Sequence, residues 1–266
     1  MSEQKINIHT LRAMKQRGEK IAVLTAYDYF TAKIMDEVGV PLILVGDSLG
    51  MAVLGYENTL PVTMEEMVHH TRAVARAKPN ALVVADMPFM TYATVDEARR
   101  NAATFIQAGA EAVKLEGGEP VIEQVRALVA AGVPVLGHIG LLPQGILETG
   151  GYKIQGRKPE SAERLLRDAK LLEEAGVFAI VIECVVAEVA ARITQSVGVP
   201  TIGIGAGAGC DGQVLVSNDM LGQFTWFTPK HVKRYANLAE EMRRAFAAYK
   251  REVESGEFPG REHSFQ

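Results

Sequence analysis

The sequence predicts an α/β chain folded as a closed (β/α)8 barrel of the TIM type, with a helix at its C-terminal end. Three observations predict it. A helical stretch repeatedly ends at a glycine, and a short apolar run follows within a few residues and stops at a polar residue or another glycine. Glycine accepts the left-handed conformation that closes a helix, so each such point is a helix-to-strand turn. The apolar runs are also continuous rather than alternating, as parallel strands covered on both faces require. Finally, roughly 250 residues accommodate eight such units.

Taken in order, IAVLTAYD (21–28) is the first strand and 30–38 the first helix of the repeat. Gly39 leads into PLILVGDS, helix 64–77 follows Thr63, and ALVVADMP (81–88) follows Pro79-Asn80. Thr63 and Thr94 suit helix N-caps, with acidic residues in the next turn. Helix 95–108 then ends at Gly109 before AVKLEGG, and helix 120–131 ends at Gly132 before PVLGHIG. Helix 160–175 precedes Gly176 and FAIVIE, helix 186–197 precedes Gly198 and PTIGIGAG, and QVLVSND (213–219) is the last strand. An open doubly wound sheet would share this alternation, but its G-x-G-x-x-G fingerprint is missing after the first strand. Segment 140–158 is too long for a simple turn and is expected to be an active-site loop or lid. Residues 229–254, beginning at Thr228-Pro229, are expected to form the terminal helix, and the tail after them to be irregular. No linker divides the chain, so residues 1–266 are expected to be a single domain.

The 266 residues are 48% hydrophobic and 23% charged, which allows a large core and excludes global disorder. The 28 Lys and Arg residues against 32 Asp and Glu give a net charge of −4. Without a basic cluster, this balance argues against a nucleic-acid groove or a polybasic membrane patch. No apolar run approaches a membrane span and MSEQKINIHT has no apolar signal region, so a soluble, cytoplasmic protein is expected. Cys184 and Cys210 are the only cysteines, and neither belongs to a CxxC pair. A disulfide framework and a thiolate zinc site are thereby excluded.

Barrel chemistry occurs where strands run out into loops at their C-terminal ends. The polar residues there are Asp47, Ser48, Asp86, Lys114, Glu116, His138 and Glu183. Four carboxylates at four strand ends call for a cation among them, either Lys114 or a hard metal such as Mg2+, and the pattern favours a metal site. Glu183 interrupts the run VFAIVIECVVA, where no counter-charge is evident in sequence. Such surroundings raise a carboxylate toward general-base duty, while the alternative is a strand-end charge reaching solvent or an Arg. His138 is a ligand, a hydrogen-bond donor or a satisfied core histidine. His69 and His70 are neighbours on a helix and cannot both face one metal. GIGAGAG (203–209) suits either a phosphate cradle or a tight turn. Cys184 is expected to be a small buried hydrophobe rather than a nucleophile.

The segments TAYDY (25–29), VGDSLGM (45–51), TLPVT (59–63), ADMPFM (85–90), VKLEGG (113–118), GHIGLLPQ (137–144), GGYKIQGR (150–157) and IGIGAG (202–207) closely resemble the ketopantoate hydroxymethyltransferase family. The resemblance runs in the same order from about residue 20 to the terminal PGREHSF. It implies a barrel of the phosphoenolpyruvate/pyruvate type, assembled as a decamer of two pentameric rings. The implied activity makes ketopantoate from 3-methyl-2-oxobutanoate, with 5,10-methylenetetrahydrofolate as co-substrate and one Mg2+ per subunit. Carried over residue by residue, Asp47, Asp86 and Glu116 match the family's metal-site carboxylates, some acting through water. Ser48 and Lys114, with Asp47 and Asp86, match the residues around the keto acid, and Glu183 matches the catalytic base. In the implied chemistry Mg2+ chelated by the keto acid stabilises the enolate that forms when Glu183 takes the C3 proton, and the enolate attacks a folate iminium. Departures concentrate in 208–228, where no folate contact is assigned. Another Mg2+-dependent carbon–carbon lyase or transferase of the same barrel type is the competing activity.

Overall fold

A computed structural model of the chain describes residues 5–224 and 229–265. It divides into two compact units, Met1–Val216 and Ser217–Gln266. The first opens with helix α1 (Ile8–Gln16), which the sequence reading did not anticipate. Then follow β1 (Ile21–Thr25), α2 (Tyr29–Glu37), β2 (Leu42–Val45), a short α3 (Leu49–Ala52), α4 (Met64–Ala75) and β3 (Leu82–Asp86). The middle of the chain contributes α5 (Val95–Ala108), β4 (Ala112–Glu116), α6 (Ile122–Ala130), β5 (Val135–Gly140) and a short α7 (Ile146–Thr149). The unit ends with α8 (Pro159–Ala175), β6 (Ala179–Glu183), α9 (Ala187–Ser196), β7 (Thr201–Ile204) and β8 (Gly212–Leu215).

All eight strands pair in parallel with their sequence neighbours, and β8 returns to β1 to close the barrel. The predicted fold class and all eight strands are thus found. Both threonine caps form full capping boxes, Thr63 with Glu66 and Thr94 with Glu97. Pro159 occupies the first turn of α8, where its missing N–H is harmless.

Two apolar layers result from the alternation of side chains along each strand. One face packs on the helices, with Ile43, Val45, Val83, Val113 and Ile180 all buried there. The other fills the barrel with Ile21, Val23, Leu42, Leu44, Leu82, Val84, Leu136, Val181 and Val214. Leu11 of α1 is fully buried in this inner cluster, so α1 works as a plug. Asn7 starts that plug by accepting hydrogen bonds from the backbone N–H groups of His9 and Thr10.

Two boundaries differ from expectation. The last strand stops at Leu215, and Ser217–Met220 forms a helical turn, α10, in the second unit. The terminal helix α11 begins at Leu238 and runs to Ser255, not from residue 229. Backbone N–H groups of Tyr235 and Leu238 bond to the carbonyls of Met220 and Leu221, which holds the preceding segment out of a helix. Thr228 lies outside the described residues. Along α11, Met242, Phe246, Tyr249 and Val253 are exposed. Among the described residues, no helix is long and apolar enough to cross a membrane.

Candidate active site

Strand parity decides which polar side chains enter the barrel. In β3 the inward series Leu82, Val84 continues to Asp86, and in β5 the inward Leu136 continues to His138. In β4 Ala112 continues to Lys114 and Glu116, and in β6 Val181 continues to Glu183. These residues therefore replace the apolar filling at the C-terminal end of the lumen. Register then pairs them across strands: Asp86 lies beside Lys114, Glu116 beside His138, and Gly140 beside Glu183.

The resulting contacts form one buried network. Lys114 Nζ lies 2.9 Å from Asp86 Oδ2, which also accepts the backbone N–H of Asp47 at 3.2 Å. His138 sits between two carboxylates, with Nδ1 3.4 Å from Glu116 Oε1 and Nε2 3.2 Å from Glu183 Oε2. Neither nitrogen makes a well-aligned hydrogen bond, so these are contacts of charge rather than of direction. Gln144 donates through Nε2 to Asp47 Oδ2 at 2.9 Å and to the Met87 carbonyl at 3.0 Å. Its backbone N–H donates to Glu116 Oε2 at 3.0 Å, and its Oε1 accepts from the Tyr92 hydroxyl at 2.6 Å. Ser48 Oγ lies 2.9 Å from the Tyr27 hydroxyl.

Charge in this network is unbalanced. Burial, then the nearby Asp86 and Glu116, push the Asp47 carboxyl up to about 8, against the opposing pull of Lys114 and Gln144. Burial raises Asp86 as well, though Lys114 opposes it. Burial works against the Lys114 ammonium, yet Asp86, Glu116 and Asp47 outweigh it and hold Lys114 above its ordinary value. For His138, burial and Lys114 disfavour the cation, but Glu116 and Glu183 prevail and push it up to about 9. Burial also opposes the Glu116 charge, yet His138 and Lys114 keep that carboxyl below its usual range. One carboxylate oxygen, Asp86 Oδ1, is buried without a hydrogen-bond partner. A buried anionic oxygen left bare is costly unless a cation serves it. Among the described residues, no three His, Cys, Asp or Glu side chains form a ready coordination shell by themselves. Two carboxylates completed by water and substrate oxygens are what a hard divalent ion such as Mg2+ commonly accepts, so the donor set fits that ion.

The structure thus brings Asp47, Asp86, Lys114, Glu116 and Glu183 to one end of the barrel, with Ser48 on the turn that carries Asp47. One expectation needs correction. Glu183 is not surrounded by apolar groups alone, because His138 on the next strand faces it, and sequence-local reading cannot see a neighbour one strand away. Backbone geometry also fits Glu183 tightly: a Cβ at Gly140, where φ is 104°, would come within 2.2 Å of the Glu183 carbonyl oxygen. Cys184, with φ 49°, turns the chain just past Glu183. Burial and then Glu183 push its thiol up to about 11, which suits an inert side chain. At Gly207 a Cβ would come within 2.6 Å of Ala187, so close packing on α9 accounts for that glycine. His69 is exposed, whereas His70 Nδ1 contacts the Tyr27 carbonyl at 2.6 Å.

Gln144, Tyr92 and Tyr27 were not singled out from sequence. Tyr27 ends the first apolar run, so the strand-end rule would have reached it. Gln144 stands at the start of the long 140–158 loop, and Tyr92 carries no local signal. The loop folds as a turn at Pro143–Gly145 followed by α7, and Gln155 pairs with Val185.

A family profile for ketopantoate hydroxymethyltransferase matches residues 5–261. The chain belongs to that family. Among its relatives, the 3-methyl-2-oxobutanoate hydroxymethyltransferase of Syntrophus aciditrophicus is 58% identical over 98% of this chain and 97% of its own length. The enzyme of the same name from Enterococcus faecalis is 57% identical over 97% and 94%. Among solved structures, phosphonopyruvate hydrolase in complex with oxalate and Mg2+ superposes with a TM-score of 0.63 at 16% identity, over 98% of this chain and 93% of that one. A 2,3-dimethylmalate lyase, a member of the PEP mutase/isocitrate lyase superfamily, superposes with a TM-score of 0.59 at 16% identity, over 95% and 89%. These two share the family's barrel.

Proposed function

We propose that the chain transfers a hydroxymethyl unit from 5,10-methylenetetrahydrofolate to 3-methyl-2-oxobutanoate, giving 2-dehydropantoate (ketopantoate) for pantothenate and coenzyme A synthesis. The observation that carries this reading is the buried group of Asp47, Asp86, Lys114 and Glu116 facing Glu183 in a chain of this family. A small keto acid has the charge that suits it: Lys114 offers a buried cation to a carboxylate, and Ser48 a hydroxyl on the turn beside Asp47. Asp47 and Asp86 would hold one Mg2+ per subunit, with Glu116 acting through water. When bound, the ion would supply Lewis-acid polarisation of the 2-oxo group, which acidifies the hydrogen at C3. Glu183 then takes that proton, and the carbanionic carbon attacks the one-carbon unit carried by the folate. Water hydrolyses the carbon–nitrogen bond of the adduct, supplying the hydroxyl oxygen and releasing tetrahydrofolate. His138, 3.2 Å from Glu183 Oε2, offers positive charge beside that carboxylate.

We further place the enzyme in the cytoplasm as a homo-oligomer, with the decamer of the family as its form. Phe30 and Ile34 of α2 and Val38 at its C-cap support self-association, since they follow one another at helical spacing and are exposed. The reaction is tested by incubating the purified protein with 3-methyl-2-oxobutanoate, methylenetetrahydrofolate and Mg2+. Formation of 2-dehydropantoate and tetrahydrofolate in equal amounts is expected. Turnover of the keto acid that does not depend on folate would instead indicate a lyase.

A further inference from the structure

Gln144 is a neutral side chain, yet its amide reaches Asp47 while its backbone N–H reaches Glu116, so one residue touches two of the buried acids. It is buried, and its amide has a forced orientation. A primary amide can present either its oxygen or its NH2 to a neighbour, and only the NH2 is compatible with a carboxylate. Here Nε2 reaches both Asp47 Oδ2 at 2.9 Å and the Met87 carbonyl at 3.0 Å, two acceptors. The Tyr92 hydroxyl, itself buried, donates to Oε1 at 2.6 Å and so occupies the other end of the amide. The backbone N–H of the same residue donates to Glu116 Oε2 at 3.0 Å. Tyr92 lies beyond β3, Asp47 beyond β2, Glu116 at the end of β4, and Gln144 in the loop beyond β5, so four strand ends meet in one residue. Catalysis does not use these contacts, because neither Gln144 nor Tyr92 needs to touch a reacting atom.

From this geometry we infer that Tyr92 and Gln144 form a positioning pair that holds Asp47 in the orientation required to bind the divalent ion. The inference rests on the proposed metal role of Asp47 and Asp86. Partners behind a ligand commonly change metal affinity by about 10–100-fold when removed, because they fix the ligand's direction and basicity. The same contacts tie the start of the 140–158 loop to the carboxylates. Lys153 in that loop is exposed, which makes it a reporter of loop order.

The test uses the full-length protein without folate and measures Mn2+ affinity by electron paramagnetic resonance, with melting curves and far-ultraviolet circular dichroism as controls for folding. Gln144→Met keeps length and removes the side-chain amide, its oxygen and its NH2, while the backbone N–H stays; its Mn2+ dissociation constant should rise about 10–100-fold. Tyr92→Phe removes a single oxygen and should weaken binding less than Gln144→Met does. Because the two act through one another, the double variant should bind no more weakly than Gln144→Met alone, which is the signature of coupled residues. Trypsin cleavage at Lys153 should quicken in Gln144→Met and hardly change in Tyr92→Phe, where the amide still donates to Asp47 and to the Met87 carbonyl. Parent affinity in folded Gln144→Met, or strictly additive losses in the double variant, would overturn the pair. Should Gln144→Met fail to fold, unchanged Mn2+ affinity in Tyr92→Phe would overturn it alone. A parent protein that binds no Mn2+ would remove the metal reading itself, and the pair with it. That outcome is distinct from a variant matching a parent that does bind.

Discussion

The two ends of the barrel use charge in opposite ways. At the N-terminal end, Lys5 donates to the carbonyls of Pro79 and Ala81 and pairs with Glu111. Lys15 donates to the carbonyls of Thr194 and Val199 and pairs with Asp211, which in turn accepts the N–H of Thr201. Each of these charges satisfies backbone groups left over where strands begin or, at Thr194, where α9 ends, and each keeps contact with water. At the C-terminal end the charges are deeper, face one another, and leave Asp86 Oδ1 bare. Charges at the first end close the fold; those at the second are held in an arrangement that the fold alone does not favour. Such unrelieved arrangements characterise functional sites, where stability is traded for reactivity.

The largest effect expected of this difference is on chemistry with little change in folding. Glu183→Gln keeps size and removes basicity, so turnover should fall by about 10²–10⁴-fold, the usual contribution of a general base. Exchange of the C3 hydrogen of 3-methyl-2-oxobutanoate with D2O, followed by NMR in the presence of Mg2+, should fall with it. The melting temperature should stay near that of the parent. A folded variant that exchanges at the parent rate would return Glu183 to an ordinary strand-end charge.

Next in size is the contrast between two buried or half-buried lysines. Lys114→Met leaves Asp86 without its cation in a buried site, and breaking such a pair typically costs about 3–5 kcal/mol. Lys15→Met removes a pair whose side chains are 15% and 17% exposed, so water compensates and roughly 1–3 kcal/mol is expected. Chemical denaturation of both variants in metal-free buffer measures the contrast. Equal losses would mean that the two ends are electrostatically alike.

The sharpest reversal of sign concerns two aspartates. Asp211→Asn at the N-terminal end should destabilise, since its carboxylate serves Lys15 and Thr201. Asp47→Asn should instead stabilise the metal-free protein at pH 8 by about 0.5–2 kcal/mol, the common gain when a functional strain is removed. It should also lose the stabilisation that Mg2+ gives the parent by mass action. Destabilisation by Asp47→Asn would contradict the picture of mutual repulsion.

The fold was legible because its signal is local and repeated. Apolar runs mark every strand and glycine closures five of them, and capping boxes at Thr63 and Thr94 mark helix starts within a few residues. Strand-end logic also found Asp47, Asp86, Lys114, Glu116 and Glu183, because those residues abut apolar runs. What it missed is relational. The partnership of His138 with Glu183 depends on register between two strands, and that of Gln144 with Asp47 spans 97 positions along the chain. Counting by twos from Leu82, Leu136 and Val181 would have put Asp86, His138 and Glu183 on one face, but continuous apolar runs conceal that period. The plug helix α1 was missed for another reason. Its N-terminus is marked only by Asn7, and the apolar pattern behind it is thin.

The smallest expected effect is a slope. Asp47 titrates at about 8 in the folded protein, above an ordinary carboxylate, so the folded chain keeps a proton that the unfolded chain has lost. His138 titrates at about 9, above an ordinary imidazole, and the folded chain again holds the extra proton. A state that binds more protons is weakened as they are withdrawn. The Asp47 contribution is therefore lost as pH rises through 8, and the His138 contribution as it rises through 9. Both act in the same direction between about pH 6.5, an ordinary imidazole value, and about 8, and His138 acts alone from there to about 9. Metal-free protein should accordingly melt about 2–8 °C lower at pH 9 than at pH 6.5, on the scale of a few degrees per kcal/mol for a chain of this size. Asp47→Asn should flatten the lower part of that slope, whereas Asp211→Asn should leave it unchanged. With saturating Mg2+ the ion replaces the proton on Asp47, so the stabilisation by Mg2+ should grow with pH up to about 8, where that proton is gone. A melting temperature that rises with pH across this window would reverse the sign of both groups and erase the contrast between the two ends.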